Sequence, residues 1–212
     1  MHPALFAAAI LAGASYLFAP SLGIAGPAVI AWKGAGVALL ALWAWRTRRD
    51  AIGRSIALVL ALGALGDVLL DAVSVGAGAA AFSAGHIVAI LLYLRHRRPR
   101  LSGSQRALAV TLIPASAIIA WSLVRAEEGG WQAVAYASLV AAMAAAAWAS
   151  AFPRYRVGVG AVLFVISDLI LFARMAGHIA PGTGSVLVWG AYFAAQALIA
   201  WGVVHAKVTP RG

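Results

Sequence analysis

The chain has 212 residues, of which 64% are hydrophobic and only 10% are charged, whereas an ordinary soluble domain carries roughly 25% charged residues. This composition excludes a soluble globular protein, and it leaves too few polar residues for the net charge of +10 to form a basic nucleic-acid-binding surface. Cysteine is absent, which excludes disulfides, thiolate metal sites and cysteine nucleophiles.

Eight apolar segments follow one another along the chain, each close to the about 20 residues that cross a bilayer core. They are predicted at residues 3–18, 28–45, 55–73, 79–94, 107–124, 131–149, 157–173 and 185–205. Spans in lipid must satisfy their own backbone hydrogen bonds, so all eight are predicted to be helical. The first is predicted to be a span rather than a cleavable signal peptide, because further spans follow it. We therefore predict an all-α membrane protein in which residues 1–212 form a single bundle of eight transmembrane helices.

The basic residues lie almost entirely on alternate connections, which predicts the orientation of the bundle. The opposite connections hold only Arg125 and Arg174, and Lys33 lies inside a span. This distribution follows the positive-inside rule, so both termini are predicted to be cytoplasmic. The side predicted to be cytoplasmic holds the other thirteen of the sixteen Lys and Arg residues, which are Arg46, Arg48, Arg49, Arg54, Arg95, Arg97, Arg98, Arg100, Arg106, Arg154, Arg156, Lys207 and Arg211.

Some ionisable residues remain inside the predicted spans. Charge at membrane depth is costly, so such residues usually face the bundle interior and mark a functional site. Counted from the outer ends of the spans at 1.5 Å per residue, all but Asp71 lie roughly 8 to 10 Å below the outer surface. Asp71 lies one turn beyond Asp67 on the same helix face. The residues are Lys33, Asp67, Asp71, His86 and Asp168.

Structural explanations compete with functional ones for several of these residues. Lys33 can extend its amine to the nearby interface with its stem in lipid, and Asp71 can simply be solvated. His86 fits a buried structural hydrogen bond as well as it fits catalysis. Asp67 and Asp168 are hardest to explain as structure, because a carboxyl group at that depth must be paired or protonated.

Tyr192 joins the same layer, and Gln196 lies four residues later on the same helix face. Such a pair fits either a hydrogen bond between helices or a substrate contact. A catalytic zinc normally takes three protein ligands, and only His86 among the histidines lies within the bundle. We therefore predict neither a metal site nor a cofactor.

Motifs on five of the predicted helices resemble those of the YhhN family of membrane proteins. The resemblance covers nearly the whole chain, because each motif lies on the corresponding helix of an eight-helix protein. Gly34 stands where the family often has proline, and Ala89 stands where it often has an aromatic residue, so the shape of the substrate pocket differs. The motifs are Lys33, Gly66-Asp67-Val68-Leu69-Leu70, Phe82 with His86, Ser167-Asp168, and Tyr192 with Gln196.

The resemblance implies an activity, because characterised members of the YhhN family are lysoplasmalogenases. These enzymes hydrolyse the vinyl ether bond of lysoplasmalogen to a fatty aldehyde and a glycerophospho-head group. The reaction needs a proton donor for the double-bond carbon and a second group that stabilises the cation and directs water. Asp67 and Asp168 would supply these two roles, with either one as the acid, and His86 would orient water or tune a carboxyl group.

The resemblance also implies where the substrate binds and where the protein works. Lys33 would hold the lipid phosphate, and Asp71, Tyr192 and Gln196 complete the predicted substrate-binding set. The implied partners are membrane lipids, with a lysophospholipid as the substrate. The implied location is the bacterial cytoplasmic membrane, with multiple passes.

Two further interpretations remain open. Intramembrane Asp, His and Lys residues also build proton relays, so a small proton-coupled transporter is the alternative function. Asp67 and Asp168 lie 101 residues apart, and each follows a small residue and precedes aliphatic ones. This spacing hints at a duplicated four-helix unit with parallel repeats.

Overall fold

The structure is a computed structural model that describes residues 2–208, which form eight α-helices joined by short connections. A 3₁₀ segment over Tyr16–Leu22 follows α1, and a π-helical turn over Arg154–Gly158 leads into α7. Arg211 of the predicted cytoplasmic set lies outside the described residues. The helices are α1 Pro3–Ser15, α2 Pro27–Thr47, α3 Ala51–Ala72, α4 Val75–Arg95, α5 Gly103–Val124, α6 Gly130–Ala149, α7 Val159–Met175 and α8 Pro181–Val204.

Helices of membrane-spanning length make up most of the described chain. Seven helices, α2 to α8, are long and apolar enough to cross a membrane, counting the π-helical turn with α7 as Arg154–Met175. The apolar helix at the start, Pro3–Ala19, is shorter. The all-helical architecture predicted from the sequence is therefore confirmed, with seven helices of full length rather than eight.

Several helices begin about one turn earlier than the hydrophobic pattern predicts. The side chain of Ser74 accepts a hydrogen bond from Ala77 at the start of α4. Ser102 and Gln105 form a reciprocal capping box at the start of α5. Pro181 occupies the first turn of α8, where its missing N–H costs no helical hydrogen bond. Polar and proline residues that look like loop in the hydrophobic pattern thus belong to the helix starts.

Helix α8 is the neighbour that α3 and α7 share. In the described residues α3 packs on α2, α4 and α8, whereas α7 packs on α5, α6 and α8. Because α3 and α7 do not pack directly on each other, a space remains between them that α8 and α4 help to enclose. Helices α2, α3 and α4 from the first part of the chain thus meet α7 and α8 from the second part around this space.

One end of the bundle, called here the basic end, carries the connections 48–50, 96–102, 150–153 and 205–208. Arg48 at this end donates hydrogen bonds to the carbonyl oxygens of Val203 at 2.8 Å, Ala206 at 2.9 Å and Val208 at 3.0 Å. It also pairs with Asp50 at 3.0 Å. Arg48 thus ties the turn between α2 and α3 to the end of α8, whose last carbonyls lack helical partners.

Arg98 has a similar role on the other side of the basic end. It donates to the carbonyl oxygens of Ser150 at 2.6 Å and Phe152 at 3.1 Å. Part of the basic excess at this end therefore stabilises the connections.

The half of the bundle next to the basic end is filled by large side chains. The ring of Phe6 lies 4.7 Å from the rings of both Trp43 and Trp201, which stack on each other at 5.8 Å. Leu40 and Tyr93, like Trp43, are almost completely buried. This aromatic packing closes the bundle on the basic side, whereas the opposite end holds open space.

Candidate functional site

A cavity of about 180 Å³ lies at the end of the bundle opposite the basic end, between α2, α3, α4, α7 and α8. It gathers five of the seven residues predicted from the sequence to form the site, which are Lys33, Asp67, Asp71, Asp168 and Tyr192. Tyr16, Phe82, Phe164 and Trp189 add aromatic walls. These five residues thus share one space, here called the carboxylate cavity, whereas His86 and Gln196 do not line it.

Asp67 lies on the α3 wall of the carboxylate cavity and is only 3% exposed. The Tyr192 hydroxyl on α8 donates a hydrogen bond to its Oδ2 at 2.8 Å, and Gln196 Nε2 donates to that hydroxyl oxygen at 3.2 Å. Gly63, one turn before Asp67, makes this approach possible, because a Cβ there would lie 2.8 Å from Gln196 Nε2. The predicted pair Tyr192 and Gln196 therefore forms a hydrogen bond between helices that also positions a site carboxyl group.

Asp168 lies on the α7 wall and is 7% exposed. Its Oδ2 is buried and has no hydrogen-bond partner within residues 2–208. The preceding Ser167 hydroxyl is also buried without a partner there. A carboxyl oxygen in this position loses hydration without compensation, so Asp67 and Asp168 share one cavity but differ in their surroundings.

Lys33 and Asp71 form an ion pair at the mouth of the carboxylate cavity. Lys33 Nζ lies 2.8 Å from Asp71 Oδ2, and 15% of the lysine side chain and 34% of the aspartate side chain are exposed. Asp71 follows Asp67 by one turn of α3, so the pair lies above the buried carboxyl group. The charge of Lys33 is thus largely neutralised by Asp71.

His86 is buried but does not line the carboxylate cavity. His86 and Gln196 line a separate space of about 20 Å³. The rings of Phe82 and Phe164 line both this space and the carboxylate cavity, so they stand between the two. The His86 ring packs edge-on against Phe164 at 4.9 Å, and its Nε2 lies 3.5 Å from the Tyr136 hydroxyl. The structure therefore does not bring His86 together with the two aspartates, and its catalytic role stays a prediction.

A second, larger space of about 400 Å³ opens between the ends of α4, α5, α6 and α7. Its walls are mostly apolar, with Ala79, Ala133 and Met175 among them, and Glu127 and Glu128 lie at its edge. This space, here called the apolar groove, meets the carboxylate cavity at Leu70, Phe82, Asp168 and Leu171, which line both. Among residues 2–208, Asp168 is the only titratable residue that lines both spaces.

Sequence reasoning missed one charged residue of the site. Arg174, placed in a connection by the hydrophobic pattern, lies in the last turn of α7 and lines the carboxylate cavity. Its Nη1 donates to the Ser185 hydroxyl at 2.8 Å. The signal available in the sequence was its position six residues after Asp168, which places it about 9 Å further toward the membrane surface.

Among residues 2–208, no group of three or more His, Asp or Glu side chains is placed to hold a metal ion. The site therefore consists of carboxyl groups, hydroxyl groups and two cations in an apolar, aromatic enclosure. Such a set can donate and accept protons and can bind an anion.

These observations define a multi-pass helical membrane protein with two buried carboxyl groups in a cavity near one end of its bundle. The chain belongs to the YhhN family, whose family model matches residues 28–203. The matched region includes every residue of the predicted site. A search of curated proteins and a search of solved structures each found no match.

Proposed function

We propose that this protein is an integral membrane hydrolase that cleaves the vinyl ether bond of lysoplasmalogen. The observation that carries the proposal is that Asp67 and Asp168, from two different helices, are buried on the walls of one cavity. Buried carboxyl groups in lipid-spanning helices are costly and are kept where they serve a function. Membership of the YhhN family supports hydrolysis, since characterised members cleave this bond.

The two adjoining spaces suit a single-chain lipid. A lysoplasmalogen has a polar glycerophospho-head group and one hydrocarbon chain, and the vinyl ether connects them. The carboxylate cavity carries the charged side chains, and the apolar groove offers a mostly hydrocarbon surface. With the head group in the cavity and the chain in the groove, the vinyl ether would lie beside Asp168 at the junction.

Asp168 is the proposed general acid. Its Oδ2 is buried without a hydrogen-bond partner in the described residues, an environment that suits a neutral carboxyl group better than a charged one. In the first step it would transfer its proton to the double-bond carbon farther from the ether oxygen. The product is an oxocarbenium ion, whose positive charge the two carboxylates then stabilise.

Asp67 is the proposed base, because Tyr192 donates a hydrogen bond to it and such a bond favours the carboxylate form. Water would add to the oxocarbenium carbon and give its extra proton to Asp67. The product of this step is a hemiacetal. The hemiacetal hydroxyl then returns a proton to Asp168 while Asp67 protonates the departing glycerol oxygen. One water is consumed, aldehyde and alcohol are released, and both aspartates regain their starting states.

The proposal includes the arrangement of the chain in the membrane. Eight spans, with the shorter Pro3–Ala19 helix crossing as well, would place both termini and the basic end in the cytoplasm, as the positive-inside rule favours. The location would be the bacterial cytoplasmic membrane.

Since the chain has no cysteine, a single cysteine can be introduced for labelling. Ser102→Cys should then react only with reagents that reach the cytoplasm, and Glu128→Cys with those outside.

The experiment that tests the activity is hydrolysis of purified lysoplasmalogen by the detergent-solubilised protein, read out as released aldehyde. Alkyl and acyl lysolipids serve as substrate controls. Asp67→Asn and Asp168→Asn should each lower kcat by about 100-fold to 10,000-fold, the range for loss of a general acid or base. Asp50→Asn, at the basic end, is the matched control and should keep full activity. Full activity in both cavity variants would refute the mechanism, and absence of any lysoplasmalogen cleavage by the natural protein would refute the function.

A proton-coupled transporter is the competing function. The aromatic packing of Phe6, Trp43 and Trp201 on the basic side leaves the carboxylate cavity open toward one end of the bundle, which suits an enzyme better than a conduit. Uptake driven by a pH gradient in proteoliposomes, abolished by Asp67→Asn, would favour the transporter.

A further inference from the structure

Arg174 lies where the carboxylate cavity opens at the end of the bundle. It is half-buried in the last turn of α7, on the wall of the cavity that holds Asp67 and Asp168. Its side chain crosses onto α8 and lies over Gly184, where a Cβ would come within 2.7 Å of the arginine Cγ and Cδ. Gly184 thus leaves room for the arginine stem, and the side chain has a defined seat between two helices.

Ser185 fixes the direction of the guanidinium group. Arg174 Nη1 donates to the Ser185 hydroxyl at 2.8 Å, and that hydroxyl donates onward to the Pro181 carbonyl oxygen at 2.8 Å. A guanidinium group carries five N–H donors in a planar fork. The contact with Ser185 therefore orients the fork while leaving other donors for a ligand.

The charge of Arg174 is not balanced by a carboxylate. Within residues 2–208 no Asp or Glu oxygen lies within 4.0 Å of it, whereas the other cation of the cavity, Lys33, pairs with Asp71 at 2.8 Å. A partly desolvated cation without a counter-ion attracts an anion more strongly than a neutralised one. Of the two cations in this cavity, Arg174 is therefore the one whose charge is left free for an anionic ligand.

We infer that Arg174, oriented by Ser185, binds the phosphate group of a single-chain glycerophospholipid. This inference rests on the proposed function. The planar fork matches two phosphate oxygens. Along α7 the arginine follows Asp168 by six residues, or about 9 Å of helix axis, toward the end of the bundle. The phosphate would thus be held on the outer side of the bond that Asp168 protonates, with the glycerol carbons between them.

Binding of a lipid that cannot be cleaved tests this inference separately from catalysis. The probe is a 1-O-alkyl lysophosphatidylethanolamine, and a 1-O-alkylglycerol with the same chain lacks only the phosphoethanolamine group. Both are titrated into purified protein and followed by native mass spectrometry. Arg174→Gln should weaken binding of the phospholipid at least about tenfold and leave binding of the alkylglycerol unchanged. Arg174→Lys should fall between, because it keeps the charge and loses the fork.

Arg125→Gln is the matched control. Arg125 is an exposed arginine at the end of α5, and it lines neither the carboxylate cavity nor the apolar groove. Its replacement should change neither titration. Ser185→Ala keeps the arginine and removes its orienting contact, so a smaller loss confined to the phospholipid is expected. This variant also keeps the inference testable if Arg174→Gln does not fold.

Three outcomes overturn the inference. An equal loss for phospholipid and alkylglycerol would show that Arg174 only supports the fold. Unchanged phospholipid binding in both Arg174→Gln and Ser185→Ala would refute the phosphate contact. Binding of inorganic phosphate that depends on Arg174, without binding of the lipid, would assign the site to a free anion. If the lipid binds through Arg174 but the protein does not cleave lysoplasmalogen, the proposed function fails while the inference stands.

Turnover gives a second readout in a protein that is active. Arg174→Gln should raise KM for lysoplasmalogen more than it lowers kcat, since a phosphate held equally in the ground state and the transition state contributes uniform binding. The opposite pattern, with KM unchanged and kcat reduced, would contradict a head-group contact.

Discussion

Tyr192 on α8 donates its hydroxyl hydrogen to Oδ2 of Asp67 on α3 across 2.8 Å, inside a bundle where both side chains are buried. Asp168, on the other wall of the same cavity, has a buried Oδ2 with no partner in the described residues. One carboxyl group is thus held by a directed hydrogen bond, while the other has a buried oxygen that lacks such a bond. This asymmetry is the physical basis for assigning them different roles.

Replacing Tyr192 by phenylalanine tests the hydrogen bond to Asp67. Tyr192→Phe keeps the ring contacts with Phe82 and Phe164 but leaves Asp67 without this donor. We expect kcat for lysoplasmalogen to fall about tenfold, as for loss of one hydrogen bond to a charged group. Steady-state kinetics measure the effect.

Tyr93→Phe provides the control for that experiment. Tyr93 is a buried tyrosine whose hydroxyl has no hydrogen-bond partner in the described residues. It does not line the carboxylate cavity. Its replacement should leave kcat unchanged, and an equal loss in both variants would contradict a specific role for Tyr192.

Isotope incorporation tests the site of protonation. If Asp168 delivers a solvent-exchangeable proton to carbon, hydrolysis in D₂O should place one deuterium on the carbon next to the aldehyde group. The aldehyde is reduced at once to the alcohol, and its mass is measured. In H₂¹⁸O the glycerophospho product should carry no ¹⁸O, because the bond broken is on the alkenyl side of the ether oxygen. Label in the glycerophospho product would contradict the mechanism.

The apolar groove predicts a limit on chain length. Ala79 lines the groove, and Ala80, its neighbour on α4, is exposed and does not line it. On the proposed function, Ala79→Phe should shift the substrate preference toward shorter alkenyl chains, because a larger side chain removes volume from the groove. Competition between substrates of different chain length, measured by mass spectrometry, gives the ratio of kcat/KM values.

Ala80→Phe adds the same ring on the outer face and should leave the chain-length preference unchanged. An unchanged preference in Ala79→Phe, with activity retained, would place the hydrocarbon chain elsewhere.

The ion pair at the basic end predicts a pH-dependent contribution to stability. Burial raises the pKa of Asp50, but the Arg48 guanidinium and the Gly53 backbone N–H outweigh it and hold that pKa below its ordinary value of 3.8. The folded state binds the Asp50 proton less tightly than the unfolded chain does. The ion pair therefore contributes its full stability at pH values above the ordinary pKa of the unfolded chain. This contribution is lost as the pH falls through the lower pKa that Asp50 has in the folded protein.

Asp50→Asn should therefore lower the free energy of unfolding at neutral pH by about 1 kcal/mol, near the upper end for surface ion pairs, because this pair is partly buried. The asparagine oxygen can still accept from Gly53 and cap α3. The difference between variant and natural protein should shrink as the pH drops below 3.8. Thermal unfolding in detergent measures both effects, and a difference that stays constant with pH would refute the ion pair as its cause.

Much of the fold could be predicted because lipid permits few alternatives. Long apolar runs must be helices, and the alternation of basic connections marks where they end. The seven long helices and the shared depth of Asp67 and Asp168 follow from this logic. The helix starts at Ser74, Ser102 and Pro181 were missed, because capping residues resemble loop when only hydrophobicity is read.

The composition of the site was harder to predict than its depth. Helices that are apolar on all sides give no signal for which face turns inward. His86 therefore shares the level of Asp67 but lies behind the Phe82 and Phe164 rings. Arg174 was counted with the connections, although its side chain returns to the cavity. Depth follows from counting residues along one helix, whereas enclosure depends on how five helices pack.

The aromatic packing of Phe6, Trp43 and Trp201 closes the bundle on the basic side, and the cavity and the groove both lie toward the other end. On the proposed function, a lipid that reaches Asp168 keeps its head group at that surface and its chain within the adjacent leaflet. Lysolipids in the opposite leaflet would have to be flipped before they could be cleaved. Hydrolysis in a sealed vesicle would then depend on how much substrate lies in the leaflet that the cavity faces, and not only on the total amount of substrate.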